Sequence, residues 1–166
     1  LSVTDDAEDA TVEGVAGGFA TAVGLVRSQW ELDGRPSNNG GTNLAIVNLD
    51  GVNVAVDPSK GYPTGGENDN NSSANSLTAE DCQQIFVRIL QSSPKITTSF
   101  AGNNNANFAE NDYYTTTSSS NGQSTCLYYL VQTIKNSTGA PNGTGSGNGF
   151  EYLPLTGQIS VFSNNQ

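Results

Sequence analysis

Large apolar residues open the chain at steps of three and four. Val12, Val15, Phe19, Val23, Val26 and Trp30, with Ala16 and Ala22 beside them, fall on one face of an α-helix. Gly34 and then Arg35-Pro36 supply a helix stop. The pattern predicts an amphipathic helix within residues 1–34, roughly 28 residues and ~40 Å long. Asp5, Asp6, Glu8, Asp9 and Glu13 crowd its beginning. Carboxylates there suit the positive end of the helix dipole, and Thr4 or Asp5 is the expected N-cap. Gly14, Gly17, Gly18 and Gly24 each cost up to about 1 kcal/mol relative to alanine in a helix interior. They mark either the close approach of another backbone or tolerated variation.

After a polar loop at 37–43, apolar runs at Leu44–Leu49 and Val52–Val56 flank Asp50-Gly51. β-Branched runs around Asp-Gly predict a hairpin, because both turn residues need positive φ. Residues 57–76 read as a loop. Leu77–Leu90 reads as a second, short helix with Thr78 as N-cap, Glu80 and Asp81 in its first turn, a buried stripe from Leu77 or Cys82 through Ile85, Phe86, Ile89 and Leu90, and Pro94 as its stop. Ile96–Phe100, Asn107–Thr117 and Thr125–Ile134 read as strands, the last most clearly. Residues 136–149 are rich in Gly, Asn, Ser and Thr and are expected to be mobile. Phe150–Leu153 and Gln158–Phe162 read as a further hairpin. Strand neighbours face opposite ways, so one tyrosine of Tyr113-Tyr114 and one of Tyr128-Tyr129 is expected in the core and the other exposed. The order of elements predicts an α+β fold in one domain, 1–166, with the long helix and a second short helix on an antiparallel sheet.

Composition narrows what such a domain does. Hydrophobic residues make up 34% of the chain, which suits a solvated, loop-rich surface over a modest core. Six basic residues against sixteen carboxylates give a net charge of −10, which argues against a nucleic-acid partner. Histidine is absent, which removes the commonest general base and metal ligand and every Ser-His or Cys-His mechanism. The residues point away from an enzyme: Glu110 and Asp112 lie two apart in an Asn-rich loop, where carboxylates are normally solvated, and Glu151 sits on a strand. Cys82 and Cys126 are 44 positions apart and form no C-x-x-C motif. They read as a disulfide made outside the cytoplasm, contributing about 4 kcal/mol in the chain-entropy model; the alternative is two unrelated buried thiols. Calcium is a weak possibility. Asp57, Glu67 and Asp69 share one loop, and Asn103, Asn105, Glu110 and Asp112 share another, but neither has the spacing of an EF-hand loop, and acids and amides that keep a loop solvated are the favoured reading. No stretch is apolar enough to span a bilayer. Methionine is also absent, which suggests that the natural start lies upstream of Leu1.

The helix from Phe19 to Pro36, followed by Val47–Gly51, Gly61–Gly65, Leu77–Cys82, Cys126–Tyr129 and Phe150–Gly157, resembles type IV pilins and pseudopilins. The resemblance is closest to minor pilins of the mannose-sensitive haemagglutinin (MSHA) type. It rests on the order and spacing of these segments. It implies a pilin fold, with residues 1–34 as the outer part of the long helix and 35–166 as the head. It also implies a missing upstream piece: a short basic leader, a methylatable N-terminal residue and an apolar helix that anchors the protein in the inner membrane of a Gram-negative bacterium before assembly. The head would then lie in the periplasm and later on the cell-surface pilus. Its partners would be other pilin subunits, through that apolar helix, and the pilus assembly machinery, while the chain from Leu1 onward would be a monomer. The implied role is a structural subunit for filament assembly and surface attachment. The alternatives are a type II secretion pseudopilin serving protein export and a free carbohydrate- or surface-binding domain.

Overall fold

The opening stripe forms the inner face of helix α1 (Val3–Leu32) in the computed structural model, which describes residues 3–165. Val12, Ala16, Phe19, Ala22, Val23, Val26 and Trp30 are buried in the main core, and Val15 is half-buried at its edge. Thr4 and Asp5, expected ahead of the first turn, lie inside the helix. At the far end Gly34 takes a φ of 87°, and the N–H groups of Gly34 and Arg35 donate to the carbonyls of Glu31 and Trp30. That pair of bonds is the Schellman closure, which requires a left-handed residue and so selects glycine. Trp30 locks the same end: its indole N–H donates to the Pro36 carbonyl at 2.9 Å, and its ring lies flush against Gly61, where any side chain would collide.

Two sheets, not the expected one, pack with α1. Strands β1 (Ala45–Leu49), β2 (Val52–Val56) and β3 (Pro63–Gly65) form a three-stranded antiparallel sheet in that order. Asp50 and Gly51 join β1 to β2 with φ values of 51° and 85°, the conformation the Asp-Gly pair predicts. Strand β3 falls in a segment that reads as loop. It is three residues long and begins with proline, so it carries no alternation to detect; pairing with β2 across a bulge makes it a strand.

Helix α2 (Ala79–Ile89) follows, with a reciprocal cap: Thr78 Oγ1 accepts from the Asp81 N–H at 3.2 Å, and Asp81 Oδ2 accepts from the Thr78 N–H at 2.9 Å. It buries Cys82, Ile85, Phe86 and Ile89. The helix stops at Ile89, with Leu90 already extended and Ser92 at a φ of 51°, so Pro94 does not end it. The second sheet contains β4 (Ile96–Thr97), β5 (Tyr113–Ser120), β6 (Gln123–Leu130), β7 (Gly149–Leu153) and β8 (Gln158–Phe162), in that order. Strand β4 runs parallel to β5, so this sheet is not wholly antiparallel.

The region read as a strand over 107–117 opens instead with a short helix, α3 (Ala106–Ala109), because Asn105 Oδ1 caps the Phe108 N–H at 3.0 Å. Likewise β6 ends at Leu130, and Val131–Thr133 turn as a 3-10 helix. Residues 136–149, expected to be mobile, are tied at several points. The Asn103 and Asn104 N–H groups donate to Ser137 and Lys135, the Tyr129 hydroxyl donates to Gly143, and the Asn164 side chain donates to Thr144 and Gly147.

These segments explain a further departure: all four tyrosines of the two pairs are buried. Tyr113 and Tyr128 face the main core. Tyr114 and Tyr129 face the other side of the sheet, where Phe100, Phe108, Val131, Ile134 and Phe162 cover them in a second cluster. The segment after β8 meets α1 at Asp9, whose carboxylate accepts from the side chains of Asn148, Ser163 and Asn165.

Phe19 is completely buried, with ring centroids 5.2–5.3 Å from Tyr128, Phe150 and Tyr152. Phe19→Ala is expected to destabilise the fold by about 3–5 kcal/mol, measured by urea unfolding; a loss below about 1 kcal/mol would show that α1 does not depend on this contact.

Candidate functional site

Cys82 on α2 and Cys126 on β6 form a disulfide, with their Cα atoms 5.6 Å apart. Beside it the Tyr128 hydroxyl donates to the Cys82 carbonyl at 2.7 Å, so helix and sheet are joined by a covalent and a polar link at one level.

The oxygen-rich loops are occupied with their own backbone. Asp57 is buried and accepts four hydrogen bonds: Oδ1 takes the Ser59 N–H, the Ser59 hydroxyl and the Lys60 N–H, and Oδ2 takes the Ala74 N–H, all at 2.7–2.9 Å. Burial pushes this carboxyl up, but the donors from Ala74, Ser59 and Lys60 together hold it below the ordinary aspartate range. Glu67 accepts from the Asn53 side chain at 2.8 Å. Asp69 sits in the same loop but turns toward α2. Glu110 is exposed, 3.9 Å from the Lys95 ammonium, and Asp112 accepts the Lys95 N–H at 2.9 Å. Asn105 caps α3, and Asn103 takes a left-handed backbone conformation. Glu151 lies on β7, paired with Leu127 and Ser160. Among the described residues no group of three or more His, Cys, Asp or Glu is placed to hold a metal ion.

A concavity lies elsewhere. A groove of about 630 Å³ runs between α1, the β1–β2 hairpin and α2, lined by Leu25, Leu49, Val52, Val87 and Leu90 together with the polar Asp50, Arg88 and Gln91. Leu25 is 54% exposed, and Val52 and Val87 are 37% and 39% exposed, so three large apolar side chains face water in one depression. Gly18 and Thr21 of α1 line the groove as well.

The groove continues onto the outer face of α1. From Gly14 to Val26 the helix has no charged residue, and its exposed positions are Gly14, Gly17, Gly18, Ala20, Thr21, Gly24 and Leu25. The solvent face of a surface helix normally carries charge. A Cβ added at Gly14, Gly17 or Gly24 would meet nothing within 4 Å. No part of the described chain therefore approaches these glycines, and the reading that another backbone of the same molecule packs there is set aside.

The stripe residues share a buried face as their spacing predicts, and of the two readings of the cysteines the disulfide is the one that holds, whereas the weak calcium candidates are dispersed. The groove was not legible as a site, because three distant segments build it. Its one local signal is Leu25, an apolar residue off the buried stripe on an uncharged helix face. The chain matches no protein-family model, no curated protein and no solved structure. No described helix is long and apolar enough to cross a membrane.

The Asp57 environment has a definite pH signature. A carboxyl held below its unfolded value contributes stability that is present above that value and lost as the pH falls through the folded one. Asp57→Asn is expected to cost about 1–3 kcal/mol at neutral pH, and the gap to the parent protein should narrow as the pH falls through the acidic range. Thermal melts of both proteins across pH check this; a constant gap would contradict it.

Proposed function

We propose that this chain is the head of a fibre subunit, a minor pilin of an MSHA-like type IV pilus that serves filament assembly and surface attachment. The observation that carries the reading is the uncharged, glycine-rich outer face of α1 continuing into an apolar groove. A face with that character gains most by burial against another molecule. Its role is to be packed, not to turn over a substrate.

On this reading the inner stripe of α1 fixes the head to its helix, and the outer face and groove receive neighbouring subunits. An apolar helix upstream of Leu1 anchors the protein in the inner membrane and then packs in the filament. The disulfide holds the second helix to the sheet when the fibre is pulled. The net charge of −10 makes identical heads repel one another at low salt, so the head alone stays monomeric and association depends on the upstream helix.

The test is a shear assay on cells that express the full gene, including everything encoded before Leu1. The parent chain is expected in the sheared surface fibres. Leu25→Glu places a charge in the groove on an already exposed side chain; it should leave the far-ultraviolet dichroism of the head unchanged and reduce incorporation roughly tenfold, the equivalent of about 1.4 kcal/mol. Incorporation equal to the parent would remove the groove from assembly. Recovery of the native chain only as a free secreted protein that binds sugar would replace the structural reading altogether.

A further inference from the structure

The end of β3 passes over one face of α2. Asp81, Gln84 and Arg88 stand on that face at helical spacing, and Gly65 and Gly66 lie against them. A Cβ at Gly65 would stand 2.8 Å from Asp69 Oδ2 and 3.2 Å from Asp81 Oδ1. Two carboxylates from different elements, the 66–76 loop and the first turn of α2, therefore converge on the space a missing side chain leaves.

Each acid has its other oxygen committed. Asp81 Oδ2 accepts the Thr78 N–H of the helix cap, and Asp69 Oδ1 accepts the Asn71 N–H at 3.4 Å. The other oxygens, Asp69 Oδ2 and Asp81 Oδ1, both face the space beside Gly65. Asp69 Oδ2 is buried and accepts from no N–H or hydroxyl. Arg88 lines the same cavity of about 320 Å³, but its Nε–H donates to Gln84 Oε1 and its Nη1–H to the Asn53 carbonyl. The remaining charged group lining the cavity is Glu80, a further acid. Glu67, in the same loop, accepts from Asn53, and β3 contributes no titratable group.

A half-buried carboxylate with one oxygen fully buried, beside another carboxylate and with no cation paired to either, is relieved most directly by one proton between them. Burial first, and then the Asp81 charge, push the Asp69 carboxyl above its ordinary value. We propose that Asp69 and Asp81 form a proton-sharing latch, one hydrogen between Asp69 Oδ2 and Asp81 Oδ1, that holds the 66–71 segment to α2 and opens when that proton is lost. The moving part is bounded. Ser72 is pinned by its N–H and hydroxyl to the Asn43 carbonyl, and Ala74 is pinned to Asp57, so opening releases 66–71 and leaves the rest of the loop in place. The sign follows from the raised carboxyl: the latch contributes fully below the unfolded value and is lost as the pH rises through the folded one.

Carbon-detected NMR of the aspartate side chains on the intact chain tests this. The Asp69 carboxyl is expected to titrate above the ordinary aspartate range. Hydrogen-exchange protection of the 67–71 amides should fall through that transition. In Asp69→Asn the protection should persist at higher pH, because the carboxamide donates an N–H where the shared proton stood. Titration of Asp69 within the ordinary range would overturn the latch, and that measurement needs no variant. Calcium chloride added at neutral pH should leave both carboxyl resonances unmoved; a calcium-induced shift of both that restores loop protection would mean that a cation, not a proton, joins the pair.

Discussion

The structure depends on the burial of Phe19. Its ring is the point at which α1, α2 and the five-stranded sheet meet: its centroid lies 6.3 Å from Phe86 of α2 and 5.2–5.3 Å from Tyr128, Phe150 and Tyr152 of the sheet. A core built on aromatic rings brings hydroxyls into the interior, and each needs a partner. Tyr128 donates to Cys82 on α2, and Tyr152 donates to the Pro63 carbonyl on β3 at 2.6 Å, which ties the five-stranded sheet to the three-stranded one. The polar groups that the core must satisfy are thus what connect its layers. Tyr113 is the exception. Its hydroxyl is buried without a partner, and nothing in its surroundings explains it.

The elements legible in the sequence were those whose own residues carry the period. The α1 stripe, the Asp50-Gly51 turn and the Thr78 cap each rest on contacts a few residues apart, and each forms as read. What the sequence did not display depends on partners far along the chain. β3 is a strand only because β2 pairs with it. Tyr114 and Tyr129 are buried only because the segments around α3 and after β6 fold over the sheet. A period of two announces which side of a strand is apolar, not whether the polar-looking side will also be covered.

The candidate surface divides the same way. The uncharged run from Gly14 to Val26 is visible residue by residue, and so are the glycines within it, each of which weakens the helix. Their neighbours were not visible: Val52 and Val87 join the groove through the packing of the hairpin and α2 on the helix. Charge distribution gives this surface its contrast. Five acids of α1 are gathered at Asp5–Glu13, and near its other end the cation Arg27 is engaged by the Glu31 carboxylate, the Lys60 carbonyl and the rings of Trp30 and Tyr62. The middle of the helix is left as a neutral strip between two polar ends.

A segment that follows the last strand of a sheet has contacts on one side only and is ordinarily loose. The Asp9 carboxylate changes that here. Asn148, Ser163 and Asn165 all donate to it, so the segment after β8 hangs on one side chain of α1. Movement of the helix away from the sheet would strip that segment of its acceptor, and release of the segment would leave the carboxylate without its donors. Two elements far apart in sequence are coupled through a single acid.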